Sequence, residues 1–156
     1  GDFVFMKNGV QTARLIGASF SSRHTNDDLT ANADGYGDIF TIGVFHCNMD
    51  TISSTDKYAP CKLSNLLKKR VNYWALGHIH KREIVYENPY VIYSGNTQGL
   101  TARETGEKGA FLVSVRDGIV EYTRFFRTGP IIWDDLEVNI TEMESITMAE
   151  TCAIEE

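Results

Sequence analysis

Apolar positions along the chain gather into short runs separated by polar, glycine-punctuated turns, the spacing of a strand-rich domain. Residues 3–6 and 12–20 (TARLIGASF) read as two strands joined by the turn Lys7-Asn8-Gly9, because Asn-Gly between apolar runs is a strong hairpin signal. The polar stretch 21–37 predicts a short helix with Thr25 or Asn26 as N-cap, followed by a turn at Asp34-Gly35. Residues 39–45 (IFTIGVF) form a nearly continuous apolar run, which predicts a strand buried on both faces and ending at His46. A Ser/Thr/Asp-rich loop fills the interval from Cys47 to Ala59.

Leucines at 63, 66 and 67 have the i, i+3, i+4 spacing of one helical face, so 63–70 is predicted to be a helix. Its Lys68-Lys69-Arg70 end suits the negative pole of the helix dipole. A second buried strand, 71–76, then ends in Gly77-His78-Ile79-His80. Strand, helix, strand is a βαβ-like unit whose strand ends share one edge. Beyond it, runs at 83–86, 90–93, 110–115 and 119–126, with turns at Asn88-Pro89 and Asp117-Gly118, predict an antiparallel meander. The segment IIWDDLEVNI after Pro130 predicts one more strand, and the acidic tail from Met143 is read as a frayed helix or disorder.

Composition narrows the picture. The chain has 156 residues, 42% apolar and 23% charged, which supports one folded core and excludes a low-complexity chain. No apolar run is long enough for a membrane helix, so no membrane partner is expected. The three cysteines, Cys47, Cys61 and Cys152, are odd in number and widely spaced, which fits a reducing cytoplasm better than a disulfide framework. A net charge of −6 argues against a binder of nucleic acid driven by basic charge alone.

Of the four histidines, His46, His78 and His80 follow buried apolar runs, whereas His24 sits in a polar loop and reads as a surface residue. Imidazole is a common ligand of first-row metals, and strand ends hold a side chain rigidly while leaving it accessible. Gly77 also removes a side chain that would crowd the same edge. Arg103 and Lys108, in the glycine-punctuated loop after 90–93, have the chemistry to steer a phosphate. Alternatively, Arg103–Glu104 or Glu107–Lys108 contacts fix that loop. The aromatics Tyr73, Trp74, Tyr86, Tyr90 and Tyr93 are candidates for base stacking, although strand spacing favours a core role. Alternation along the strand turns Cys47 away from the histidine side, and Cys61 reads as a small packing residue. Asp50 lies in the loop after His46 and is not counted as a ligand.

The segments IGVFHCN, YAPCKLSNLL, YWALGHIHKREIV, YSGNTQGLTARETGEKGAFLV and WDDLEVNI resemble the second half of a calcineurin-like metallophosphoesterase domain. Within that superfamily the branch most similar is that of the DNA-repair exonucleases of the SbcD and YhaO type. Gly-His-x-His is shared by the whole superfamily; Tyr58-Ala59-Pro60-Cys61, Tyr73-Trp74-Ala75-Leu76 and Arg103-Glu104-Thr105-Gly106 are narrower signals. The resemblance implies a four-layer α-β-β-α fold of class α/β, of which this chain is the β-rich portion. It also implies a two-metal centre, usually Mn2+, that hydrolyses phosphodiester bonds, with His46 and His78 on one metal and His80 on the other. DNA as substrate, a large SMC-like ATPase as partner and a homodimer are further implications.

The Asp-x-His, Gly-Asp-x-x-Asp and Gly-Asn-His motifs of that family do not occur in the chain. Three neutral imidazoles cannot by themselves offset the repulsion of two dications about 3.5–4 Å apart. Residues 1–140 are therefore expected to be the C-terminal part of a catalytic domain, inactive alone, and 141–156 an acidic tail or the start of a linker or capping region. The absence of a methionine before Gly1 fits that expectation. Two other readings remain: a phosphoesterase of the same fold acting on nucleotides or phosphoproteins, and a non-catalytic scaffold or single-metal module.

Overall fold

The computed structural model describes residues 1–20, 25–36, 38–50, 58–137, 139, 141 and 145–155. In chain order its elements are β1 (Asp2–Lys7), β2 (Val10–Gly17), β3 (Phe40–His46), β4 (Asn48–Met49), β5 (Pro60–Cys61), α1 (Leu63–Leu66), β6 (Tyr73–Gly77), β7 (Glu83–Glu87), β8 (Tyr90–Tyr93), β9 (Gly109–Arg116), β10 (Ile119–Arg127) and α2 (Ile146–Glu155). Six strands form the main sheet in the order β1-β2-β3-β6-β8-β7. Its centre is parallel: β3 runs alongside β2 on one flank and β6 on the other, and β8 alongside β6. Antiparallel β1 and β7 close the two edges.

Alternation along the central strands divides the apolar side chains between two faces. Phe45 of β3, Trp74 and Leu76 of β6, and Val91 and Tyr93 of β8 build the larger core, over which Leu63, Leu66 and Leu67 pack. The helical-face spacing of those three leucines therefore does what the sequence predicts. Phe40, Tyr73 and Ile92 face the other way, beneath Phe111, Val113 and Val120 of the β9–β10 hairpin. Toward the C-terminal end of β3 this second face is open, and Val44 and His46 are exposed there.

The hairpin turn at Asn8 and Gly9 has positive φ at both residues (52° and 78°), as a tight turn matched to strand twist requires. Arg14 of β2 is buried and anchors the opposite, open end of this hairpin. Its guanidinium donates to both carboxylate oxygens of Asp2 (2.9 and 2.6 Å) and to the Asp34 carbonyl (3.0 Å), and stacks on Tyr36.

Four expectations are corrected. The back half is not one meander: β7 and β8 form a hairpin joined in parallel to β6, while β9 and β10 pair only with each other. The unbroken apolar run of β8, buried along most of its length, suits a place between two strands. Helix α1 stops at Leu66, because Lys68 and Lys69 close tighter turns onto the carbonyls of Asn65 and Leu66. Asp34 then draws in the backbone N–H and the guanidinium of Arg70. Residues 25–36 hold no helix: Thr25 and Asp28 accept from the N–H groups of Asp27 and Thr30, in local turns that replace it. No strand occurs among the described residues of 130–139. That segment instead lies along the 97–106 loop, with the Trp133 indole donating to the Gly99 carbonyl and the Gly106 N–H to the Trp133 carbonyl.

Candidate functional site

Parallel strands deliver their C-terminal ends to one edge, and here that edge carries the histidines. His46 closes β3 directly opposite Gly77, the last residue of β6. A Cβ at position 77 would lie 3.0 Å from Nδ1 of His46, so glycine is what makes room for the imidazole. The next residue, His78, has φ +100°, a left-handed conformation that costs a non-glycine residue about 1–3 kcal/mol. Strain of this kind persists where the surrounding structure holds a side chain in place. The His46 and His78 rings stand edge to face with centroids 5.3 Å apart. Phe20 meets His46 edge-on at 5.5 Å, and Tyr58 stacks on His78 at 5.7 Å. Partial burial, then the neighbouring His78 and His80, hold the pKa of His46 below the ordinary imidazole value and so favour its neutral, ligand-competent form.

His80 is more exposed and engages a different set of groups. Its Nδ1 lies 2.5 Å from Oε1 of Glu104, which also accepts from Asn96 Nδ2 at 2.8 Å. The second Glu104 oxygen accepts the Leu100 N–H at 2.7 Å. The bond from Leu100, and then that with His80, hold the Glu104 carboxyl below its usual pKa. Lys108 is buried, and its Nζ donates to the His80 carbonyl at 3.3 Å; Arg103 is exposed on the same loop. The loop is thus tied by Glu104 to His80 and by Lys108 to the His80 backbone, rather than by the Arg103–Glu104 or Glu107–Lys108 pairs considered from sequence. Glu107 faces Arg82 instead.

Cys47 is fully buried with its sulfur 3.2 Å from that of Cys61, away from the imidazoles, and both are free thiols. Contact with Cys47, then burial, raises the pKa of the Cys61 thiol. Asp50 accepts the Leu63 N–H at the start of α1. Trp74 and Tyr93 are core residues and Tyr73 is buried, whereas Tyr86 is exposed. His24 lies outside the described residues.

The histidines supply donors of the right kind for a divalent metal. Among the described residues, however, no group of three or more His, Cys, Asp or Glu side chains converges to hold one. Sequence reasoning did not find Glu104 as the partner of His80, nor the aromatic wall of Phe20 and Tyr58. Glu104 is 24 residues from His80, and no periodicity links the two positions.

The chain is similar over nearly its whole length to the C-terminal part of a metallophosphoesterase, and the Gly-His-x-His edge of its parallel strands is in keeping with that likeness. It is 37% identical over 145 residues to "Uncharacterized metallophosphoesterase YhaO" of Bacillus subtilis (strain 168). The match takes in 92% of this chain and 35% of that protein, of which it is the C-terminal part. No family model matches the chain. The strand-rich architecture is that of part of an α/β metallophosphoesterase fold.

Proposed function

We propose that the polypeptide to which this chain belongs is a metal-dependent phosphodiesterase that cleaves DNA, an exonuclease or endonuclease of DNA repair. The observation that carries this reading is the His46–Gly77–His78 arrangement: two imidazoles on adjacent strand ends, one with its pKa lowered, and no side chain between them. Similarity to a metallophosphoesterase over nearly the whole chain supports the same chemistry. The likeness of the Tyr58–Cys61 and Arg103–Gly106 segments to the nuclease branch favours DNA over nucleotides or phosphoproteins.

In this reading His46 and His78 donate ring nitrogens to one ion, and His80 donates to a second. Mn2+ is the proposed ion, and residues beyond these histidines complete the set. When bound, two such cations offset the charge of the phosphoryl oxygens and of the leaving group. This chain's own contribution is to hold the imidazoles in place, with Phe20 and Tyr58 packed against two of them. A net charge of −6 leaves the grip on DNA to the ions and to regions outside this chain. An SMC-like ATPase as partner, a homodimer and a cytoplasmic location belong to the same proposal. Among the described residues, no helix is long and apolar enough to cross a membrane.

The test is Mn2+-dependent hydrolysis of linear DNA and of bis-p-nitrophenyl phosphate by the full-length protein and its His78→Ala variant. Loss of both activities in the variant is expected. Full DNA cleavage by the variant would sink the assignment, and turnover of the small ester without DNA would move it to another phosphoesterase.

A further inference from the structure

Three groups converge on the Glu104 carboxylate: Nδ1 of His80, the Asn96 amide NH2 and the Leu100 backbone N–H. Both carboxylate oxygens already accept, one from Asn96 and the other from Leu100, so the carboxylate meets Nδ1 as an acceptor too. An acceptor at 2.5 Å from Nδ1 selects the ring form that carries its proton there. The other ring nitrogen, Nε2, then keeps its lone pair. The backbone of His80 is held as well, since its carbonyl accepts from Asn96 N and Lys108 Nζ, each at 3.3 Å. Gly95 permits that approach: it has φ +74°, and a Cβ there would come within 2.7 Å of the His80 oxygen.

We propose that Glu104 is the positioning residue of His80, fixing the Nδ1–H tautomer so that Nε2 is the nitrogen presented to a divalent metal. The inference rests on the reading of His80 as a ligand. It also explains what the Arg103-Glu104-Thr105-Gly106 segment contributes, since that loop carries the acidic partner that orients a histidine on a neighbouring connection. A carboxylate behind a ligating imidazole typically affects metal affinity by about 10–100-fold.

Glu104→Gln keeps the size and removes the second acceptor. If its amide oxygen serves Leu100 and Asn96 turns its own unpartnered oxygen toward the new NH2, that NH2 faces Nδ1 of His80 and selects the opposite tautomer. The measurement uses full-length, metal-free protein with 15N-labelled histidine, at a pH where the rings are neutral, together with calorimetric titration of Mn2+. Wild type is expected to show the Nδ1–H form at His80. Glu104→Gln is expected to show the Nε2–H form and to bind Mn2+ about 10–100-fold more weakly, with its circular dichroism unchanged. A residue that merely braced the loop would lower the melting temperature without moving the tautomer, and that result would overturn the proposal. If Glu104→Gln does not fold, the wild-type spectrum decides alone, and an Nε2–H ring at His80 overturns it. His80→Ala separates the two readings. Unchanged Mn2+ binding in that variant removes His80 from the metal site, whereas weakened binding beside an unaffected Glu104→Gln protein defeats only the positioning role.

Discussion

At His46 two effects act on one ring: partial burial, and then the charges of the nearby His78 and His80, both disfavour the protonated form. The folded-state pKa therefore lies below the ordinary 6.5. Linkage then gives the sign. The stability tied to the neutral ring is present above that ordinary value and is lost as pH falls through the lowered folded value. Melting temperatures of the metal-free protein should drop on acidification across this window, and less steeply in His46→Gln; parallel profiles would rule out His46 as the source. Gly77→Ala probes the same ring from the other side, because the new methyl would sit 3.0 Å from Nδ1. Mn2+ binding by the full-length protein should weaken by about tenfold or more, as measured by calorimetry. At this scale the sequence was legible where a residue's position follows from the run of a strand, as for His46, Gly77 and His78 at the strand ends and the inward-turned Cys47. It was not legible where the role depends on which loop folds over which, as for Glu104 and Lys108. Their partners at His80 are fixed by tertiary approach, and no local pattern encodes that.

Among the elements, the central strands carry the fold, and one of their tight meeting points is Gly43 of β3 beneath Trp74 of β6. A Cβ at 43 would lie 2.6 Å from the indole, and the indole is fully buried. Gly43→Ala should therefore cost about 1–3 kcal/mol, read as a lowered midpoint in chemical denaturation. The positions of most strands could be read in advance because apolar runs bounded by Asn-Gly, Asn-Pro and Asp-Gly leave few choices. Pairing could not. A run such as Tyr90–Tyr93 reads as β structure either way, and its parallel place beside β6 is set by burial on both faces. The α1 helix was overextended for a similar reason: the cluster 68–70 looked like a helix end, but Asp34, on a distant segment, ties Arg70 into a turn instead.

For the whole molecule, the two sheet edges differ in a way that bears on association. Edge strand β7 is flanked by Glu83 and Glu87, charges that discourage pairing with another sheet, whereas β1 exposes Phe3, Phe5 and Met6. Helix α2 adds exposed Ile146, Met148 and Ile154. The 156-residue chain should self-associate as its concentration rises in sedimentation velocity, and Phe5→Lys should shift it toward monomer; the same distribution in both proteins would place any contact elsewhere. The chain spans about a third of the length of the curated relative it matches. Such apolar surface is also what a segment of a larger assembly would present.

The face-to-face placement of His46 and Gly77 has a consequence for descent. Neither position can drift alone: a side chain at 77 crowds the ring, and without the ring the glycine has lost its reason for being there. Across homologous chains the two should be inherited as a pair, and lineages that have replaced one should have been released at the other.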